Sequence, residues 1–144
     1  MTTVWRICRR SFADLSGEGA RLYGGRWNTL GRPLIYAAES AALAVLEVRV
    51  HLDLDWDMLP DDYVLVAIDT AAIVAETIHE FPDDPRAVGD AWIESRRSAL
   101  LHVPSRIVPE SHNVLINPAH PDARSIQLGP IRPFRFDRRL WAPR

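Results

Sequence analysis

The sequence predicts an α+β fold, a curved and mostly antiparallel sheet with two main helices. Three observations carry that expectation. Short apolar and β-branched runs recur along the chain, VWRIC at 4–8 and YVLVAID at 63–69 among them. Only two stretches, 40–52 and 85–98, have the length and spacing of substantial helices. From Pro104 onward the chain breaks into strand-length pieces between prolines, a pattern of sheet edges rather than helix. No repeat, low-complexity segment or internal linker interrupts the 144 residues, so one domain spanning 1–144 is expected.

Taken in order, residues 4–8 read as a strand that carries Arg6 inside an apolar run. Residues 12–23, rich in glycine and small side chains, read as loop. Residues 33–37 form a second strand that delivers Tyr36 near its end. Ser40 has the chemistry of a helix N-cap. From Ser40 to Leu52 the only non-apolar positions are Ser40, Glu47, Arg49 and His51. Leu43, Leu46, Glu47 and Val50 share one arc and Val45 and Val48 lie opposite, which predicts a helix covered on most sides.

Residues 53–62 are an acidic, solvated connection, and 63–69 suit a buried strand. Residues 70–82 read as a turn and a short strand. Residues 85–98 predict an amphipathic helix with proline in its first turn and Val88, Trp92 and Ser95 along one side. A strand at 100–103 ends at Pro104-Ser105, and short strands follow near 106–108, 113–116, 124–129 and 133–136.

Composition narrows the chemistry. All seventeen basic residues other than histidine are arginine, so Schiff-base chemistry and the phosphate-loop lysine are excluded. Arginine is also the side chain that grips phosphate or carboxylate with two parallel donors. Charge is segregated: residues 1–52 carry seven Arg against four acids, 53–94 one against twelve, and 95–144 nine against three. If the two ends meet they form an electropositive site, with the acidic middle turned outward. A pI near 6.2 is not a nucleic-acid footprint. A small anion in a basic pocket fits better, with no direct contact to nucleic acid. The lone Cys8 cannot form an internal disulfide, and no signal peptide or membrane span is legible, so a cytoplasmic protein without a membrane partner is expected.

His51, His79, His102, His112 and His120 show no ligand spacing, so no metal is expected. Ser105 lacks the Gly-x-Ser-x-Gly elbow of a serine hydrolase. Five of the seven glycines (Gly17, Gly19, Gly24, Gly25, Gly31) fall just before the helix that bears Glu47. Such a loop lets backbone approach a ligand closely. A carboxylate inside an apolar helix needs a partner or a task, because burying it alone costs on the order of several kcal/mol. One reading is a structural Glu–Arg pair. The other joins Glu47 to Arg6, Arg26, Tyr36 and Ser105 as a set suited to cleaving a nucleotide's glycosidic bond. There a fixed carboxylate stabilises an oxocarbenium-like transition state, arginines hold phosphates and a tyrosine ring stacks on a base.

The segments GEGARLYGGRWN, PLIYAAESAALAVLEVRVH and LLHVPSRIVPESHNVLINPAHPD together resemble the RES-domain toxins of bacterial toxin–antitoxin systems, over residues 5–140. The resemblance implies an ADP-ribosyltransferase-like fold and a toxin that takes NAD+ as substrate. It would break the nicotinamide–ribose bond by hydrolysis or phosphorolysis and arrest growth. Some similar proteins instead transfer ADP-ribose to a protein. A third reading, of another class, is a non-enzymatic binding module in which Glu47 is a structural ion pair. The implied partner is a helix-turn-helix (Xre-type) antitoxin encoded alongside, with phosphate as a second small partner and a homodimer as the assembly. By the resemblance Glu47 acts on the nicotinamide ribose, Arg26 and Arg6 contact phosphate or ribose, and Tyr36 lines the nicotinamide pocket. Gly25 belongs to the ligand-approaching loop. Ser105 is the candidate for the family's serine, with Ser95 and Ser98 as competitors.

Overall fold

The computed structural model describes residues 2–141. Its sheet has seven strands: β1 (Thr3–Arg9), β2 (Ile35–Ala38), β3 (Tyr63–Asp69), β4 (Ala75–Thr77), β5 (Leu100–Pro104), β6 (His112–Ile116) and β7 (Gln127–Pro133). Their order across the sheet is β4-β5-β6-β2-β1-β3-β7, and only the β4–β5 pair is parallel. The helices are α1 (Glu18–Tyr23), α2 (Ala41–His51) and α3 (Pro85–Ser95). The α+β expectation stands, with a third, short helix added. No helix among the described residues is long and apolar enough to cross a membrane.

One pairing sets up everything that follows. Strand β1 pairs with β3 along its whole length, from Thr3 opposite Asp69 to Arg9 opposite Tyr63. It meets β2 only at Trp5 opposite Ala38. The sheet is therefore split at its middle into two half-sheets that touch at one point. The apolar run of β3 fits its place, since it is buried on both faces: Val64, Val66 and Ile68 point into one core and Tyr63 and Leu65 into another.

Helix α2 begins where Ser40 Oγ accepts the amide of Leu43 at 3.1 Å, as an N-cap should. It packs on the face that carries Ile7, Ala38 and Leu65, but buries only Leu43 and Ala44 of its own residues. Leu46 and Val50 stay 36% and 61% exposed, so the helix is not covered on most sides. Apolar composition did not decide its burial, because the sheet lies on one side of it only, and Leu46 and Val50 point away from that side.

Helix α3 starts from Asp84, whose Oδ1 accepts the amide of Ala87, and closes at Ser95, before a left-handed Arg96, rather than at 98. Trp92 is buried on it, among Trp27, Leu34, Leu101 and Leu115.

Several local expectations change. Residues 12–23 are not all loop: α1 forms there, with Gly17 at its N-cap and Gly24 at its C-cap, both at positive φ. At Gly17 a Cβ would also stand 2.7 Å from the Leu34 amide nitrogen. Residues 106–108 make a turn, their amides bonded to Ser105 rather than to a neighbouring strand. The two strands expected near 124–129 and 133–136 are one, β7, preceded by a 3-10 turn at Pro121–Ser125. Several acids of the middle segment pair with arginines from the ends, as in Arg9–Asp62, Arg32–Asp90 and Arg97–Glu76.

Candidate active site

Where β1 and β2 part, a cavity of about 490 Å³ opens between the sheet, α2 and the glycine loop, within the usual range for a small-molecule site. Arg6, Gly25, Arg26, Tyr36 and Glu47 all line it. Ser105 does not: it lies behind Glu47, 1% exposed.

The relation between these two side chains is specific. Ser105 Oγ donates to Glu47 Oε1 at 2.7 Å. The same oxygen accepts the amides of Ile107 and Val108, each at 3.1 Å. With both lone pairs occupied, the hydroxyl proton has one destination, the carboxylate. Glu47 is thereby held from behind, while Oε2 keeps no partner among the described residues. No arginine pairs with Glu47 among the described residues, so the structural Glu–Arg pair is absent.

Tyr36 and the glycine loop form a second fixed unit. The Tyr36 hydroxyl accepts the Trp27 amide at 2.9 Å and donates to Asn28 Oδ1 at 2.6 Å. Burial pushes its pKa up to about 12, so the phenol stays protonated and its ring alone faces the cavity. Asn28, fully buried, turns its Nδ2 towards the carbonyls of Ala20, Thr29 and Arg32 at 2.9–3.1 Å. A Cβ at Gly25 would stand 2.5 Å from the Tyr36 hydroxyl, so the close contact requires glycine there. Within 24–28, Arg26 is the exposed residue.

Three basic groups surround the opening. Arg6 reaches across the split to the Tyr36 carbonyl at 3.4 Å, and its buried Nε has no partner among the described residues. A buried unpaired donor is uncommon in a folded protein. Arg26 Nη2 approaches His51 Nε2 at 3.4 Å, and His51 Nδ1 lies 2.7 Å from the Glu47 carbonyl. A guanidinium only donates, so Nε2 accepts and Nδ1 carries the proton. Phe81 stands between the guanidiniums of Arg26 and Arg106, at 5.8 and 4.6 Å from its ring centre, close enough for cation–π attraction. Among the described residues no cluster of His, Cys, Asp or Glu is arranged to hold a metal ion.

Sequence reasoning had brought Arg6, Arg26, Tyr36 and Glu47 together and left Asn28, His51 and Phe81 without a role. His51 was detectable, since it lies one helical turn after Glu47. Phe81 sits in a segment with no periodic signal at all.

Comparison with known proteins fits this geometry. A family model described as RES domain matches residues 3–137. The Prs ADP-ribosylating toxin of Sphingobium sp. (strain YBL2) is 42% identical, covering 96% of each chain. Toxin Res of Pseudomonas putida (strain KT2440) is 36% identical over 96% of this chain and 99% of its own. The NAD(+) phosphorylase MbcT of Mycobacterium tuberculosis is 48% identical over 48 residues, 33% of this chain and 26% of that one. The fold of MbcT, in the crystal structure of the M. tuberculosis MbcT–MbcA toxin–antitoxin complex, superposes with a TM-score of 0.74 at 23% identity, over 92% of this chain and 84% of that one. With a match running from the first strand past the last, and full-length relatives on both counts, the chain belongs to the RES domain family.

Proposed function

We propose that this protein is the toxin of a toxin–antitoxin pair and that it degrades NAD+ by breaking the nicotinamide–ribose bond. The observation that carries the reading is Glu47. It is fixed by Ser105 on one oxygen, open to the cavity on the other, and accompanied by Arg6 and Arg26 on the same walls. The names of the relatives support the same class of chemistry, one being an NAD(+) phosphorylase and another an ADP-ribosylating toxin.

In the proposed step the bond between the ribose C1′ and the pyridinium nitrogen breaks, and its electron pair leaves with nicotinamide. Positive charge develops at C1′ and the ring oxygen, where the Glu47 carboxylate stabilises it. Arg6 and Arg26 hold the diphosphate and fix the ribose against that carboxylate. The Tyr36 ring forms part of the wall for the nicotinamide. An oxygen of water or phosphate then bonds C1′ and its proton passes to solvent, giving ADP-ribose or its 1-phosphate. No metal takes part in this scheme.

Ser105 acts through Glu47 rather than on the ligand, and Gly25 keeps room for the Tyr36 hydroxyl. The partner is an antitoxin protein, of helix-turn-helix (Xre-type) character by the family resemblance, with a homodimer as the assembly. Nicotinamide release from NAD+ by the purified toxin, with and without phosphate, tests the reading. Release is expected in at least one condition, and none in either would overturn it.

A second reading, transfer of ADP-ribose to a protein, is favoured by the relative that shares 42% identity and is named for ADP-ribosylation. It uses the same pocket and carboxylate, with a protein side chain as the acceptor. Isotope-labelled NAD+ would then mark a protein band, whereas hydrolysis or phosphorolysis leaves all label in small molecules.

A further inference from the structure

The neutral side chains on the cavity wall that can both donate and accept are, with one exception away from the rim, committed to the protein itself among the described residues. The Tyr36 hydroxyl donates and accepts, and both nitrogens of His51 are engaged. Asn113 also lines the cavity, on β6, half-buried. Apart from Tyr23 at the exposed rim, it is the wall side chain that can both donate and accept yet does neither within the described residues. Its neighbours are informative. In the sheet register Trp5 stands opposite Ala38 and Ala38 opposite Asn113, so the three share the face on which α2 packs. Two residues before Asn113, the Ser111 carbonyl accepts the amide of Ser105, the residue that holds Glu47. The row therefore runs from an aromatic ring, across a small alanine floor, to a free amide beside the carboxylate's anchor.

We infer that Asn113 is a specificity-determining residue that hydrogen-bonds the carboxamide of the substrate's nicotinamide ring. The inference rests on the NAD+ reading given above. A primary carboxamide offers one acceptor and an NH2 donor, and a side-chain amide returns the same pair in reverse. A side-chain amide on the wall of an open cavity is hydrated when no ligand is bound. A ligand that displaces this water without replacing its hydrogen bonds leaves a polar group unsatisfied, which is how such a site rejects an analogue lacking the donor. Nicotinamide is also the leaving group, so its carboxamide must lie within a few bonds of the ribose carbon that Glu47 faces.

The test compares NAD+ with 3-acetylpyridine adenine dinucleotide, in which a methyl group replaces the carboxamide NH2. The wild type should favour NAD+ by about tenfold or more in kcat/KM, and Asn113→Leu and Asn113→Ala should each lower the NAD+ value by roughly 10–100-fold while lowering the analogue's, which keeps the carbonyl acceptor but lacks the NH2, by a clearly smaller factor. A residue that merely held the fold would lower both equally, and an equal drop overturns the inference. Should both variants fail to fold, the wild type decides alone: equal turnover of the two dinucleotides overturns it, and the stated preference supports it. Wild-type turnover of neither would overturn the NAD+ reading and this inference with it, whereas turnover without discrimination overturns this inference alone.

Discussion

Glu47 and Ser105 lie 58 positions apart in sequence and share one hydrogen bond, and the two ends of that bond predict different failures. Glu47→Gln preserves shape and keeps an acceptor for the serine, so the fold should persist with an unchanged melting temperature. On the proposed mechanism, removing this charge should cut nicotinamide release by on the order of 10²–10³-fold, read by single-turnover kinetics. Ser105→Ala acts otherwise. It removes the acceptor of the Ile107 and Val108 amides, so it should cost about 1 kcal/mol of stability by urea unfolding as well as activity. The serine's identity could not be decided from sequence, where Ser95 and Ser98 stood beside it. In the structure Ser95 bonds the Trp92 carbonyl and Ser98 the Leu100 carbonyl, both within their own segment. Glu47 was legible because a lone acid in an apolar helix is itself a signal. Asn28 was not, since its three carbonyl partners become neighbours only once the loop has folded.

At the scale of elements, the glycine loop and α3 act as one body. A Cβ at Gly89 would lie 1.8 Å from the Trp27 carbonyl oxygen, backbone against backbone, so neither side can move away cheaply. Gly89→Ala should therefore destabilise by about 3 kcal/mol or more, and the loop should loosen with it. Loss of the Trp27 near-ultraviolet circular dichroism signal at temperatures where the wild type keeps it would be the check. Sequence reading placed β1, β3 and both long helices, because their apolar runs are uninterrupted and their caps are chemically explicit. It missed α1 because a six-residue helix bounded by glycines carries no periodic signal and draws support from its Glu18–Arg21 pair and the packing of Ala20. It overestimated the burial of α2 because side-chain composition does not reveal how many strands lie underneath.

For the molecule as a whole, pH should act through β5 and β6. His102 on β5 is half-buried, with His112 of β6 beside it at 6.4 Å between ring centres. Burial first, and His112 second, hold its pKa below the ordinary histidine value, with Glu39 opposing them weakly. The unfolded chain then binds a proton more readily than the folded one, so stability is full above about pH 6.5 and falls as pH drops through the folded pKa. Thermal melts at pH 7.5 and 5 should show this loss, and His102→Gln should reduce it. The segregation of charge visible in the sequence is realised only in part. Arg6 and Arg26 of the N-terminal part do line the cavity, and Arg106 of the C-terminal part shares the Phe81 ring with Arg26, but other arginines neutralise the acidic middle.

Because β1 and β2 are joined only at Trp5 and Ala38, the molecule is stitched at one point along its central line. Backbone groups beyond the stitch have no neighbouring strand to exchange hydrogen bonds with, and of these the Tyr36 carbonyl accepts from Arg6 instead. On the proposed function, a dinucleotide bound in the gap would take the place of the absent strand pairing and tie the two half-sheets into a stiffer whole. Amide hydrogen exchange along Ile7 and Tyr36 should accordingly slow severalfold on adding ADP-ribose, while the β5–β6 amides keep their rates.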